Sequence, residues 1–322
     1  MATVTHRIFA STRRFGIELE TGVEIDRTDI RDIIAKTDTT GRSITVSNWA
    51  ESKDNSYWHI KHDSSCGINA HTLGRDYGWE IASYVATGPD DIKNIANCAQ
   101  KLQEAGLKAN NNCGYHIHAE VKDFTADMFA VLMARWIKIE PFLSLIVPER
   151  RLHNKHCKFW YDYAKFDRKS HYAAKDLWSM VKPTNHSPHD NSQRKTTLNV
   201  VNFSAALLSE SEGIKAKRKT AELRLPEGTL AAADISAWVV LFLSFIDNCV
   251  GKEMPETLSA ITRLEEFLEY LGLSHDEGFT IFDEPLYNTK VWVLQRLVDY
   301  SSDKEIVSAA RSYLAYMISD AA

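Results

Sequence analysis

The chain has 322 residues, 44% of them hydrophobic and 25% charged, with a formal net charge of −5. Those values describe an ordinary globular protein, long enough for one large domain or two modest ones. They exclude any overall electrostatic drive toward nucleic acid or an anionic membrane.

Five cysteines, at 66, 98, 113, 157 and 249, are an odd number without Cys-x-x-Cys spacing. That argues against a disulfide framework or a zinc ribbon and suits a reducing compartment. The N-terminus lacks a basic-then-apolar leader pattern. The most apolar stretch, Ile235 to Val250, is too short and too interrupted by Asp247 and Asn248 to span a bilayer. A cytoplasmic protein with no membrane partner is the expectation.

In chain order, Phe15 to Ile25 reads as a strand carrying Glu18 and Glu20, and Arg27 to Lys36 has the helical spacing of Ile30, Ile33 and Ile34. Tyr57 to Asp63 alternates, with Trp58 and Ile60 on one side and His59, Lys61 and Asp63 on the other. Gly78 to Val85 is a strand candidate carrying Glu80. Gly88-Pro89-Asp90-Asp91 opens a helix, because proline suits the first turn and acids suit its positive end. Ile92, Ile95, Ala96, Ala99 and Leu102 form that helix's buried stripe, and Gly106 ends it. Gly114 to Val121 returns to strand, and Thr125 to Val147 is a long apolar helix stopped by Pro148.

Glu149 to Lys195 is polar with interspersed aromatics, the pattern of a lid or binding loop. Its histidines (153, 156, 171, 186 and 189) lack metal spacing and read as surface residues. Thr196 to Ser204 and Thr220 to Pro226 are read as strands, and the chain from Ala231 onward as helical. The basic run Lys215 to Lys219 reads as a solvated loop, with contact to a phosphate-bearing group as its other reading. The expected fold is α+β: a curved, mainly antiparallel sheet with one ligand-bearing face, flanked by helices. It would form a single catalytic domain over 1–322, with the sheet core in 1–230 and a helical part in 231–322.

Three stretches share one device. Glu18-Leu19-Glu20, His116-Ile117-His118 and Glu222-Leu223-Arg224 each place two charged or metal-capable side chains two residues apart. On a strand such pairs face one way, while Ile17/Leu19, Tyr115/Ile117 and Ala221/Leu223 face the other. Glycines precede the first polar member by two residues at Gly16, Gly78 and Gly114. Each lets a ligand or a neighbouring backbone approach closely, or marks a bulge; Gly16 and Gly114 are taken as cofactor-approach positions.

Adjacent Glu18 and Glu20 repel one another, a cost that a divalent cation relieves. His116 and His118 are half of a zinc site by type, with Glu80, Asp63 or Glu222 as a third ligand, or one of them is a packed core residue. Glu222-x-Arg224 is either a salt-bridge face or a metal ligand beside a phosphate-neutralising arginine. Cys113 reads as core-facing and structural.

Phe15-Gly16-Ile17-Glu18-Leu19-Glu20, Lys61-His62-Asp63-Ser64-Ser65, Trp79-Glu80-Ile81-Ala82-Ser83, Asn112-Cys113-Gly114-Tyr115-His116-Ile117-His118 and Glu222-Leu223-Arg224 before Gly228-Thr229 occur in that order. Together they resemble the amidoligase family over about residues 13–240. That family is related to glutamine synthetase and glutamate–cysteine ligase, the carboxylate–amine ligases. The resemblance implies ATP-dependent ligation on a sheet that holds ATP with Mg²⁺ or Mn²⁺, through an acyl phosphate that an amine attacks. It implies metal-ligand roles for Glu18, Glu20, Glu80, Glu222 and one of His116 or His118, and a phosphoryl-stabilising role for Arg224. Lys61 and Arg194 are added as phosphate or carboxylate contacts, and Asp63 as a metal ligand or general base. The substrates expected are a small-molecule or peptide carboxylate and an amine.

The chain has no Gly-x-x-x-x-Gly-Lys-Ser/Thr loop, which excludes a P-loop nucleotide site. Three other classes stay open at this level: a metal-dependent hydrolase using His116, His118 and a carboxylate, a guanidine-kinase-like phosphotransferase, and a binding module built on the basic run.

Overall fold

The computed structural model describes residues 5–22, 24–47, 56–66, 78–160, 171–181, 195–213, 219–274 and 280–320. Among these, the strands in chain order are β1 (Thr5–Arg7), β2 (Phe15–Thr21), β3 (Ile44–Val46), β4 (Trp58–Asp63), β5 (Gly78–Ala82), β6 (Tyr115–Glu120), β7 (Leu198–Asn199), β8 (Thr220–Leu223) and β9 (Thr280–Phe282). The chain divides into two compact units. One comprises residues 10–119 and 225–239; the other comprises 1–9, 120–224 and 240–322. The α+β class with mainly antiparallel pairing, expected from the sequence, is what the strands and helices show.

In the unit formed by 10–119 and 225–239, the strands lie in the order β3-β4-β5-β2-β6. Among the described residues of this unit, only β3–β4 is parallel. Burial along β2 alternates without a break: Phe15, Ile17, Leu19 and Thr21 are buried, and Gly16, Glu18 and Glu20 are partly open. Ile17, Leu19, Ile60, Ile81 and Ile117 are each at most 1% exposed. Each such side chain contributes about 2 kcal/mol by leaving water, so this apolar layer is what fixes the opposite face outward. Trp58 and Tyr84 meet edge to face at 5.7 Å in the same layer.

Two helices serve this sheet. Arg27–Thr37 starts at Asp26, whose carboxylate accepts the Thr28 N–H at 2.9 Å and closes one orphan donor. Gly88–Glu104 follows the sequence reading closely, with proline in its first turn and Ile92, Ile95, Ala96, Ala99 and Leu102 buried. Gly106 beyond its end has φ +103, a conformation that needs glycine.

In the other unit β7 pairs antiparallel with β8, and β1 pairs parallel with β9. The helix Ala126–Leu143 begins at Thr125, whose hydroxyl accepts the Met128 N–H, and runs on into a 3-10 turn, Ser144–Ile146, before Pro148. The sequence reading needs correction at 196–204. Strand structure is confined to Leu198–Asn199, and Val201–Ser211 is helix. Val201, Phe203, Ala206 and Leu207 bury at helical spacing, and the Asn199 side chain accepts the Val201 N–H at 3.1 Å, which turns the chain into that helix. The stretch from Ala231 onward is largely helical as expected but contains β9, which only its pairing with distant β1 creates. Among the described residues, no helix is long and apolar enough to cross a membrane.

Lys290, in the helix Glu284–Tyr300, is fully buried. Its Nζ has no hydrogen-bond partner among the described residues and lies 5.2 Å from the Phe282 ring centre and 5.4 Å from that of Tyr313. Burial, with a smaller contribution from Arg7, pushes its pKa down from 10.5 to about 7. The unfolded chain binds this proton at a higher pH than the native protein does. Native stability therefore falls as pH drops from about 10.5 toward 7, by as much as about 5 kcal/mol, and levels off below. Lys290→Met is expected to raise the melting temperature at neutral pH by about 5 °C or more and to flatten that slope, as read by thermal denaturation across the range.

Candidate functional site

The polar face of β2, β4, β5 and β6 is set by pairing register. Glu20 stands opposite Glu80, and Glu80 opposite Lys61. Glu18 stands opposite His116, Gly16 opposite His118, and Asp63 opposite Gly78. Alternation along each strand puts all these side chains on the face away from Ile17, Leu19, Ile60, Ile81 and Ile117.

Glu18 lies between the two imidazoles. His118 Nε2 is 3.1 Å from Glu18 Oε1, and His116 Nδ1 is 3.4 Å from Oε2. His116 also reaches Glu20, with Nε2 3.6 Å from Oε1. Burial disfavours the charge on Glu18, but the His118 charge and the bonds from both histidines outweigh it and hold the carboxyl well below its usual range. Glu20 Oε2 accepts the Gly114 N–H at 2.6 Å, and its own N–H donates to the Gly114 carbonyl at 3.2 Å, so this carboxylate is locked to the start of β6.

Glu80 behaves oppositely. Burial, then the neighbouring Glu18 carboxylate, push it up to about 8, although Lys61 Nζ is 2.8 Å from its Oε1. Asp63 Oδ1 accepts both the Ser65 N–H and the Ser65 hydroxyl at 2.7 Å, which fixes the end of β4. Glu20, Asp63 and Cys66 bring one donor atom each within 4.8 Å of one another. The Cys66 thiol is pushed far up by its bond with Cys113, by burial and by Glu20, which disfavours the thiolate form. Asn110 joins the two thiol segments: its N–H approaches Cys113 Sγ at 3.3 Å and its side chain donates to the Cys66 carbonyl at 2.9 Å. Cys113 is buried, as its place in the alternation predicts.

In the other unit, Glu222 is buried and bonded on both oxygens. Asn199 Nδ2 donates to Oε2 at 2.5 Å, and Arg224 Nη1 pairs with Oε1. Asn199 faces Glu222 directly across β7–β8. Arg194 and residues 215–218 of the basic run lie outside the described residues. Lys219, the end of that run, is tied to Glu210 at 2.6 Å.

Compared with known proteins, residues 11–246 match the family model described as "Putative amidoligase enzyme". The chain belongs to this family. No curated protein resembles it closely enough to count as a match. Among solved structures, it is similar to the ligase PafA, determined in complex with the prokaryotic ubiquitin-like protein Pup. The identity is 11% and the TM-score 0.32, over 96% of this chain and 64% of the PafA chain. This chain therefore spans somewhat less than two thirds of that neighbour's length.

For an amidoligase, the donor set on the face of β2, β4, β5 and β6 is rich in hard oxygen ligands, and Glu80 is driven upward there by burial first and by the neighbouring Glu18 charge second. Carboxylates with one or two imidazoles are the ligand types Mg²⁺ and Mn²⁺ accept, and a divalent cation would relieve the Glu18–Glu80 repulsion. The residues fit such an ion. Asn110 and Cys66 beside the face, and Asn199 beside Glu222, were not singled out from the sequence. A buried asparagine inside an apolar run, as Asn199 is, was the available signal, because a buried amide needs a partner.

Proposed function

We propose that this amidoligase joins a carboxylate to an amine in an ATP-dependent reaction that passes through an acyl phosphate. The observation that carries the reading is one sheet face that gathers Glu18, Glu20, Glu80, Asp63, Lys61, His116 and His118, in a chain of the amidoligase family. Glu18, Glu20 and Glu80 with His116 or His118 are the residues that would hold Mg²⁺ or Mn²⁺. Such an ion supplies charge neutralisation for phosphate oxygens when bound.

The substrate carboxylate oxygen takes the γ-phosphoryl group and ADP departs. The amine nitrogen then attacks the acyl carbon, loses a proton, and inorganic phosphate leaves with its bridging oxygen. Lys61 contributes a cation for phosphate or carboxylate oxygens on this face. Asp63 takes the amine proton in this reading, or joins the metal set; the Ser65 bonds to one of its oxygens, which leave the other available, support a fixed carboxylate there. The family motif assigns Glu222 to the metal set and Arg224 to the charge of the transferred phosphoryl group, and Arg194 is a further anion contact. Gly16 and Gly114 let the nucleotide approach strand backbone; at Gly16 the nearest heavy atom to an added Cβ would be 3.9 Å away. The acid and amine are small molecules or peptide groups. All five cysteines are free thiols, which favours a cytoplasmic location.

The test is ATP consumption against pools of acids and amines, with product mass read by mass spectrometry. Phosphate release that requires both an acid and an amine, with a product lighter than their sum by one water, is the expected result. Hydrolysis without nucleotide would instead give the face to a metal-dependent hydrolase, and a phosphorylated amine or guanidine without amide would make it a phosphotransferase.

A further inference from the structure

Arg224 lies one residue past β8, where the strand ladder stops holding the chain. Both of its peptide groups are nevertheless bonded. Its N–H donates to the Thr197 carbonyl at 2.8 Å, and its carbonyl accepts Arg151 Nη2 at 2.6 Å. Arg151 is 4% exposed, on the short helix Glu149–Leu152. A guanidinium so deeply buried is costly, and a charge-assisted bond of that length is among the stronger ones available to a backbone carbonyl.

The Thr197 side is pinned in turn. Thr197 Oγ1 bonds the fully buried carboxylate of Glu140, and Trp136 Nε1 donates to Thr197 Oγ1 at 3.0 Å and to Glu140 Oε1 at 3.1 Å. Trp136 and Glu140 are one turn apart on Ala126–Leu143, so one rigid helix face holds the threonine. The buried Cys157 thiol lies within reach of both arginines: Arg151 bonds it, and the Arg224 charge also acts on it.

We propose that Arg151 is a positioning residue for Arg224: with the Trp136–Glu140–Thr197 cluster, it clamps the Arg224 backbone so that the guanidinium paired to Glu222 is held in one place for an anionic phosphoryl group. This rests on the phosphoryl role given to Arg224 above. A loose arginine loses the benefit of preorganisation, because its ordering must then be paid at each binding event.

The test measures binding of Mg²⁺ with a non-hydrolysable ATP analogue by calorimetry, alongside thermal melting, in the full chain. Arg224→Met is expected to weaken binding by about tenfold or more, and Arg151→Met by about tenfold with little change in melting temperature. Arg151→Lys, which keeps a charged donor for the carbonyl, is expected to restore affinity to within about threefold of wild type. Wild-type affinity in a folded Arg151→Met, with Arg224→Met impaired, overturns the clamp and leaves the ligase reading intact. Wild-type affinity in Arg224→Met removes the phosphoryl role itself. Should Arg151→Met fail to fold, Thr197→Val carries the test: it removes the bonded hydroxyl at constant shape, is expected to weaken binding by about threefold or more, and at wild-type affinity overturns the clamp.

Discussion

Glu18→Gln is expected to abolish amide formation, by about a thousandfold or more, while leaving the protein folded. The substitution keeps the shape of the side chain and removes its charge. Glu18 sits where two imidazoles converge, 3.1 Å from His118 and 3.4 Å from His116, and faces away from the apolar layer. A glutamine there is a poor ligand for a hard cation and cannot hold both rings as an anion does. The direct check is binding. Mg²⁺ or Mn²⁺ should raise the melting temperature of the wild type by several degrees and that of the variant hardly at all, by the linkage between ligand and stability. Glu20→Gln should behave likewise, since Gly114 still has an acceptor. A Glu20→Gln protein that unfolds readily yet turns over at the wild-type rate per folded molecule would sink the metal-face reading.

The largest stability loss is expected at Gly78. An added Cβ would stand 2.2 Å from the Thr21 carbonyl oxygen and 2.6 Å from Cys66 Cβ. Neither can yield cheaply, because the first is backbone of β2 and the second is fully buried. Gly78→Ala is therefore expected to cost about 3 kcal/mol or more, as overpacking against fixed atoms does. Denaturant unfolding of the apo protein would show it. The effect should extend to function, because Gly78 opposes Asp63 and lies two residues from Glu80. Loss of less than about 0.5 kcal/mol would mean that β5 can shift freely, and with it the Glu80–Lys61 contact.

Alternation was legible in the chain. Ile17 and Leu19 against Glu18 and Glu20 sort to opposite faces because side-chain direction along a strand is local geometry that needs no partner. The helix after Gly88 was legible for the same reason: its stripe, its proline and its closing glycine are all near-neighbour signals. At 196–204 the apolar residues suited either period, and burial against neighbours settled on a helix after two residues of strand.

What the tertiary structure alone decided is which distant residues meet. The opposition of Glu20 to Glu80 and of Glu18 to His116 is a matter of register, which a shift of one residue would undo. The raised carboxyl of Glu80, the Asn199 bond to Glu222, the bond of Arg151 to the Arg224 carbonyl and the buried ammonium of Lys290, with no hydrogen-bond partner among the described residues, all depend on burial and on contacts made across the chain. Side-chain chemistry is written residue by residue. Its dielectric surroundings and its partners come into being only when segments far apart in sequence pack against one another.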